Sequence, residues 1–289
     1  MKKLTSLLAL IFIFLLVGTA QSRDLDPLGG VSVGGGLTPG MSLTSGDRGR
    51  IGFTRANASL SLKSLGFEYE TRTYSWGEVE KIPFGNGRDK PWKTLHSVML
   101  HDSRHGMFNS CWGYWGGFNL SSDFEPKARE AISGSAHGGL LYSFSEQWQV
   151  SLGVSGGLDQ VNFEWFPLAA VNFNDRAGSG FSFSLGIPES EIRYDLNPSL
   201  NLRMKFSYDR RTYRLARDST VQRSGFARIQ EGLAGLALDY KPVENLVISL
   251  GPELRMLRKI TIYNRRGHRV KGYGINPVPG AMVQVSYSF

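Results

Sequence analysis

The last nine residues, Ala281-Met282-Val283-Gln284-Val285-Ser286-Tyr287-Ser288-Phe289, alternate: every odd position is apolar or aromatic, and the even positions after Met282 are polar. A strand repeats every two residues, so the odd side chains point one way and the even ones the other. The same period recurs upstream. Leu200, Leu202, Met204, Phe206 and Tyr208 alternate with Asn201, Arg203, Lys205, Ser207 and Asp209, and Leu246, Ile248, Leu250 and Leu254 share a period against Ser249, Glu253 and Arg255. Each of these stretches has one greasy face and one wet one.

At the other end, Lys2 and Lys3 precede an apolar run at 7–17 and the small residues Gly18-Thr19-Ala20. This is the pattern of a secretory signal peptide, cut after Ala20 or Ser22, and too short for a membrane-spanning helix. Residues 1–22 are therefore set aside, and 23–289 are expected to form one domain. Cys111 is the only cysteine, so no intramolecular disulfide can staple the fold. Beyond the signal no apolar run reaches the length of a spanning helix. In lipid every backbone polar group needs a partner within the protein, so a chain without such helices crosses only as a closed sheet. The expected fold is all-β: a closed antiparallel transmembrane β-barrel of 12 to 14 strands. A secreted soluble β-sandwich, which also alternates, is the other fold with this period.

Alternation and turn residues mark fourteen strand segments between 30 and 289, of which 180–186 and 190–194 are short enough to leave twelve open. Short connections at 63–65, 104–106, 145–147, 174–179, 195–199 and 241–245 largely alternate with longer ones at 77–94, 121–130, 214–225 and 262–274. With both termini in the periplasm, the short turns belong to the periplasmic rim and the long loops to the outside. No linker, second domain or plug is apparent.

The terminal strand resembles the closing strand of bacterial outer-membrane barrels, in which a terminal Phe is part of the signal read by the assembly machinery. That resemblance implies an outer-membrane location, the barrel assembly machinery as a partner, and Tyr287 and Phe289 as its signal. The segment 95–289 also resembles a family of uncharacterised, porin-like Gram-negative outer-membrane β-barrels. Leu185-Gly186-Ile187-Pro188-Glu189-Ser190, Arg193-Tyr194, the stretch 200–213 and Arg214-Leu215-Ala216 carry the likeness. It implies location and fold and transfers no catalytic residue.

With the apolar faces turned to lipid, Glu68, Glu70, Arg72, Arg203, Lys205, Glu253 and Arg255 point into the lumen, as do Glu231, Asp239 and Lys259. A lumen carrying both signs reads either as a water-filled pore with a transverse field or as an interior filled by ion pairs. The leading expectation is porin-like passage of small hydrophilic, mildly anion-preferring solutes. A closed structural or lipopolysaccharide-binding barrel is the alternative, and an outer-membrane lipid hydrolase is less favoured.

The net charge of +8 is uneven, with sixteen Lys or Arg against six Asp or Glu in 200–271. Arg210, Arg211, Arg214, Arg217 and Arg223 surround one long loop, and Arg258, Lys259, Arg265, Arg266, Arg269 and Lys271 another. Guanidinium groups fit phosphate bidentately, which points to outer-membrane lipid and lipopolysaccharide; the bland reading is solvated loop charge. Nucleic acid is a poor partner for an exported chain.

Chemistry-bearing clusters are sparse. His101 and Ser103 share a strand face, as a base and nucleophile would. The outer-membrane phospholipase places Asn-Gly after its His-x-Ser, where this chain has Arg104-His105, and neither Asn109 nor Asn119 reproduces its orienting Asn. His101 and His105 also share a face without a carboxylate at fixed spacing, so no metal ligand set and no cofactor is assigned. Trp112, Tyr114, Phe118, Trp148, Trp165, Tyr194 and Tyr240 sit as interface anchors would, and Trp115 is read as packing rather than as a sugar platform.

Overall fold

The computed structural model describes residues 29–44, 49–128, 131–175 and 179–289; the expected signal peptide lies outside them. Fifteen strand segments follow in order: β1 (Gly29–Ser42), β2 (Arg50–Leu62), β3 (Leu65–Gly77), β4 (Thr94–Met107), β5 (Trp112–Phe124), β6 (Ile132–Ser143), β7 (Trp148–Leu158), β8 (Phe163–Asp175), β9 (Phe181–Ile187), β10 (Glu189–Asn197), β11 (Leu200–Arg214), β12 (Phe226–Val243), β13 (Leu246–Tyr263), β14 (Arg269–Ile275) and β15 (Val278–Ser288). Consecutive strands pair antiparallel from β1 to β13, and β15 pairs with both β13 and β1, which closes the ring. β14 and β15 lie end to end on one edge of β13: Arg258 to Tyr263 face β14, and Leu246 to Arg255 face β15. Pro277, which has no amide hydrogen for a ladder, falls in the break. The two segments act as one spanning strand, so the circuit is a closed barrel of fourteen strands.

Lipid-facing positions carry the exposed apolar side chains the alternation demands, among them Leu120, Leu140, Leu152, Leu202, Leu236, Leu250 and Val283. At the end of the short turns the outer face carries aromatic pairs, with Trp112 against Tyr142 and Trp148 against Phe173, both at 4.8 Å between ring centroids. Amphipathic rings at one rim mark an interfacial belt.

Four sequence-based expectations need correction. The turn placed at 104–106 lies inside β4; the chain reverses at 108–111, where Asn109 Oδ1 accepts from the amides of Cys111 and Trp112. Most of the loop expected at 262–274 is strand, since β13 runs to Tyr263 and β14 begins at Arg269. Lys259 points outward, because Leu257 adopts a left-handed φ of 53° in a bulge that shifts the register and turns Arg258 inward. Finally, the 77–94 connection does plug part of the barrel. Ile82, Phe84 and Trp92 pack with Phe53, Tyr74 and Trp76 of β2 and β3, Tyr213 and Leu215, and Ile260 and Ile262 of β13. Trp76 Nε1 donates to the Trp92 carbonyl at 2.6 Å.

The long-loop half of the barrel is pinched. β5 and β11 stand on opposite sides of β6 to β10, yet the end of β11 meets the end of β5 in a parallel rung, Arg214 opposite Phe124. The Glu125 amide donates to the Arg214 carbonyl at 2.8 Å, and the Ala216 amide donates to Glu125 Oε2 at 2.8 Å. The upper part of β11 therefore crosses the lumen as an internal wall. One face of it looks into the apolar plug; the other looks into the space enclosed by β5 to β8.

Candidate functional site

Behind the internal wall, on the β1–β3 side, the lumen is filled. Arg72 on β3 reaches across to β12, where its Nη1 donates to Glu231 Oε1 at 2.7 Å, while its Nε donates to Glu70 Oε1 at 2.6 Å and its Nη2 to Asp209 Oδ2 at 3.0 Å. Arg255 donates to the same Glu231 oxygen at 2.6 Å and to Glu253 Oε1 at 2.9 Å. Arg258 Nε lies 3.7 Å from Glu231 Oε2, and Arg55 Nη2 lies 3.6 Å from Glu253 Oε2. Phe53 lies beneath these groups, its ring centroid 4.8 Å from the Arg255 guanidinium. Charges this deep persist only when paired and hydrogen-bonded, and the alternating strands supply the pairs.

On the β4–β10 side the lumen is open. A cavity of about 830 Å³ lies between the inner faces of β3 to β8 and the near face of upper β11, walled by Asn119, Ser121, Ser133, Ser135 and Ser155. A second space of about 560 Å³, lined by His105, Trp115, Leu141 and Gln149, adjoins it toward the short-turn rim. Leu168, Ile187 and Pro188 border both. The 159–162 connection between β7 and β8 borders the larger cavity at the long-loop end. Asp159 Oδ2 accepts from Arg228 Nη2 at 2.6 Å and from Thr212 Oγ1 at 2.8 Å, and Asp159 Oδ1 accepts from the Val161 amide at 2.8 Å and the Asn162 amide at 3.0 Å. Burial opposes ionisation of Asp159, but these donors outweigh it and hold its pKa below the ordinary value.

The seven residues read as lumenal all face inward, but in three settings. Glu70, Arg72, Glu253 and Arg255 belong to the filled half, where Arg72 and Arg255 are 3% and 1% exposed, and Glu70 also borders the cavity. Glu68 borders the cavity. Arg203 pairs with Asp239 at 2.9 Å and Lys205 with Glu189 at 2.6 Å, both half-buried on the lower part of β11. Glu231, which joins Arg72 to Arg255, is the residue whose importance the alternation alone does not reveal.

Among the basic-loop residues, Arg217, Arg265 and Arg266 are exposed at the long-loop end, whereas Arg214 stacks on the Phe226 ring at 4.5 Å. Arg210 and Arg211 are drawn into pairs with Glu164 and Glu70. Arg88, Lys90 and Lys93 of the 77–94 connection, exposed at the same end, extend the basic crown. His101 and Ser103 both face the lumen, but His101 Nδ1 has no hydrogen-bond partner and lies 4.0 Å from Glu68. Its cross-strand neighbour Asn119 donates to Ser135 instead. No relay of nucleophile, base and orienting group is assembled there. Trp115 lies over Gly139 and Gly153, where a Cβ would come within 2.8 and 2.6 Å of its ring. Phe289 and Gly29 exchange backbone hydrogen bonds at 3.0 and 3.1 Å, so Phe289 sits on the seam that closes the ring.

These features define a closed, fourteen-stranded antiparallel barrel with an apolar outer band and a partitioned lumen. No family model matches the sequence, and no curated protein sequence does. Similar solved structures include the KdgM porin, with 10% identity over 90% of this chain and 99% of that one and a TM-score of 0.40. The NanC porin shows 8% identity over 90% of this chain and 100% of that one, with a TM-score of 0.40. The toluene transporter TbuX of Ralstonia pickettii shows 8% identity over 92% of this chain and 90% of that one, with a TM-score of 0.43. No solute or ligand follows from these likenesses.

Proposed function

We propose that this chain is a bacterial outer-membrane channel that passes small hydrophilic solutes along its β4–β10 side, through the larger cavity and the space beneath it. The observation that carries the reading is the cavity of about 830 Å³, with hydroxyl, amide and carboxylate side chains on its strand walls beside an apolar border, inside a barrel whose other half is filled. Exposed Arg217, Arg265 and Arg266 favour anions at the mouth. The cavity lining itself holds the carboxylates of Glu68, Glu70, Asp123, Asp159, Glu164 and Asp209 against Arg210 and Arg211. The mild anion preference read from the loops therefore belongs to the mouth, and the cavity does not reinforce it.

The filled half and the basic crown favour a second reading, a closed barrel that binds lipopolysaccharide phosphate through Arg217, Arg265 and Arg266. In either reading the outer membrane is the location, its lipid the surround, and Tyr287 and Phe289 the residues offered to the assembly machinery. Liposome swelling with uncharged sugars of increasing size separates the two. A channel admits the smallest sugars fastest and excludes larger ones, whereas a folded barrel that admits none overturns the channel and leaves the closed reading.

A further inference from the structure

The barrel wall is incomplete on one side. β9 and β10 are only seven and nine residues long, and their hairpin stops partway up the wall. The last rung joining β8 to β9 is Ala169 opposite Ile187, and the last between β10 and β11 is Glu189 opposite Ser207. Above them, residues 163–168 of β8 and 209–214 of β11 have no strand between them. Side chains close the top of this gap: Arg210 pairs with Glu164, and Arg228 and Thr212 hold Asp159. What remains is a window, with the tip of the β9–β10 hairpin as its sill.

The window faces hydrocarbon. The outer faces of β7 and β8 beside it expose Val154, Leu158, Phe163 and Trp165, which continue the lipid-facing band to the top of those strands. Its rim is apolar, with Trp165, Phe166, Leu168, Ile187, Pro188 and Phe206 all lining the cavity behind it. Deeper in the same cavity, Asp123 is only 4% exposed and its Oδ1 has no hydrogen-bond partner; Ser133 Oγ is also buried and unpartnered. Buried polar atoms are rarely left unpaired; Asp123 Oδ1 asks for a donor from a ligand, and the Ser133 hydroxyl for a donor or an acceptor.

We propose that the cavity binds a single-chain amphiphile with an uncharged, hydroxyl-bearing head, which enters sideways from the membrane through this window. Hydroxyl groups of the head donate to Asp123 and engage Ser133, while the chain lies against Leu168, Ile187 and Phe206. The carboxylate-rich lining disfavours an anionic head. The volume falls within the range of about 300–1,000 Å³ common to small-molecule sites. This inference does not rest on conduction, since a barrel that passes no solute can still hold such a ligand.

The test uses the folded protein in phosphatidylcholine nanodiscs titrated with monodecanoylglycerol, with decanoate and glycerol as matched probes, and bound copies counted by native mass spectrometry. Monodecanoylglycerol is expected to bind one to one, decanoate about tenfold more weakly, and glycerol not detectably. Asp123→Asn combined with Ser133→Ala should weaken binding about tenfold or more. A variant with the β9–β10 hairpin lengthened by two residues on each strand, which raises the sill, should slow association about tenfold while the barrel still shows its folded electrophoretic mobility. Absence of binding to folded wild type, equal binding by decanoate, or indifference to the paired substitution would each overturn the site. An unchanged association rate in the lengthened variant would overturn the lateral entry route.

Discussion

Glu231 shows how much a single side chain decides in this lumen. It accepts from Arg72 and Arg255 and faces Arg258, joining β3, β12 and β13 across the interior. Replacing it with Ala leaves Arg72 with Glu70 and Asp209 and Arg255 with Glu253, but removes the carboxylate that three buried guanidinium groups share, a change that costs about 3–5 kcal/mol. Glu231→Ala should therefore unfold at clearly lower urea concentration than wild type in a liposome denaturation series, and Arg203→Ala, whose pair is half-buried, should lose less. Equal losses would mean that the network does not support the filled half. At this scale the sequence is informative about direction and silent about partners. Alternation turns Arg72, Glu253 and Arg255 inward, but the meeting of Arg72 with Glu231 spans 159 positions and no local pattern announces it. The period misplaces Lys259 because one left-handed residue, exposed Leu257, resets it.

At the scale of elements, the loops decide what the barrel leaves open. The 159–162 connection is held at the border of the cavity by Asp159, whose pKa is lowered in the fold. A carboxylate with a depressed pKa contributes stability that is fully present above its unfolded value, about 4, and is lost as pH falls through the lower folded value. Acidification through that window should release the connection, and Asp159→Ala should release it at neutral pH. Hydrogen exchange of the Val161 and Asn162 amides reads this directly: protection should fall in acid for wild type and be low throughout for the variant. Protection unchanged by either would contradict the latch. The plug formed by 77–94 is not legible in the sequence because Ile82, Phe84 and Trp92 are scattered among Gly, Pro and charged residues without strand or helix period. The shortness of β9 and β10 is legible as an uncertain pair of spans; the structure turns that shortness into a window.

At the scale of the whole molecule, a barrel of twelve to fourteen strands, the antiparallel order and the lipid-facing band are all readable from period two and from alternating loop lengths. The partition of the lumen is not, because it depends on β11 crossing to β5, a contact between strands that are not ring neighbours. That partition is the core of the functional account, since it assigns solute passage to the β4–β10 side alone. Single-channel recording in planar bilayers tests it most directly, with Ser135→Cys and Leu257→Cys prepared separately in a Cys111→Ser background and treated with a bulky, water-soluble thiol reagent. The account predicts stable ohmic steps that shrink or close when the Ser135→Cys protein is modified, and that persist when the Leu257→Cys protein, whose new thiol lies on the lipid face, is treated. A folded barrel that never conducts, or steps indifferent to modification at position 135, would contradict it.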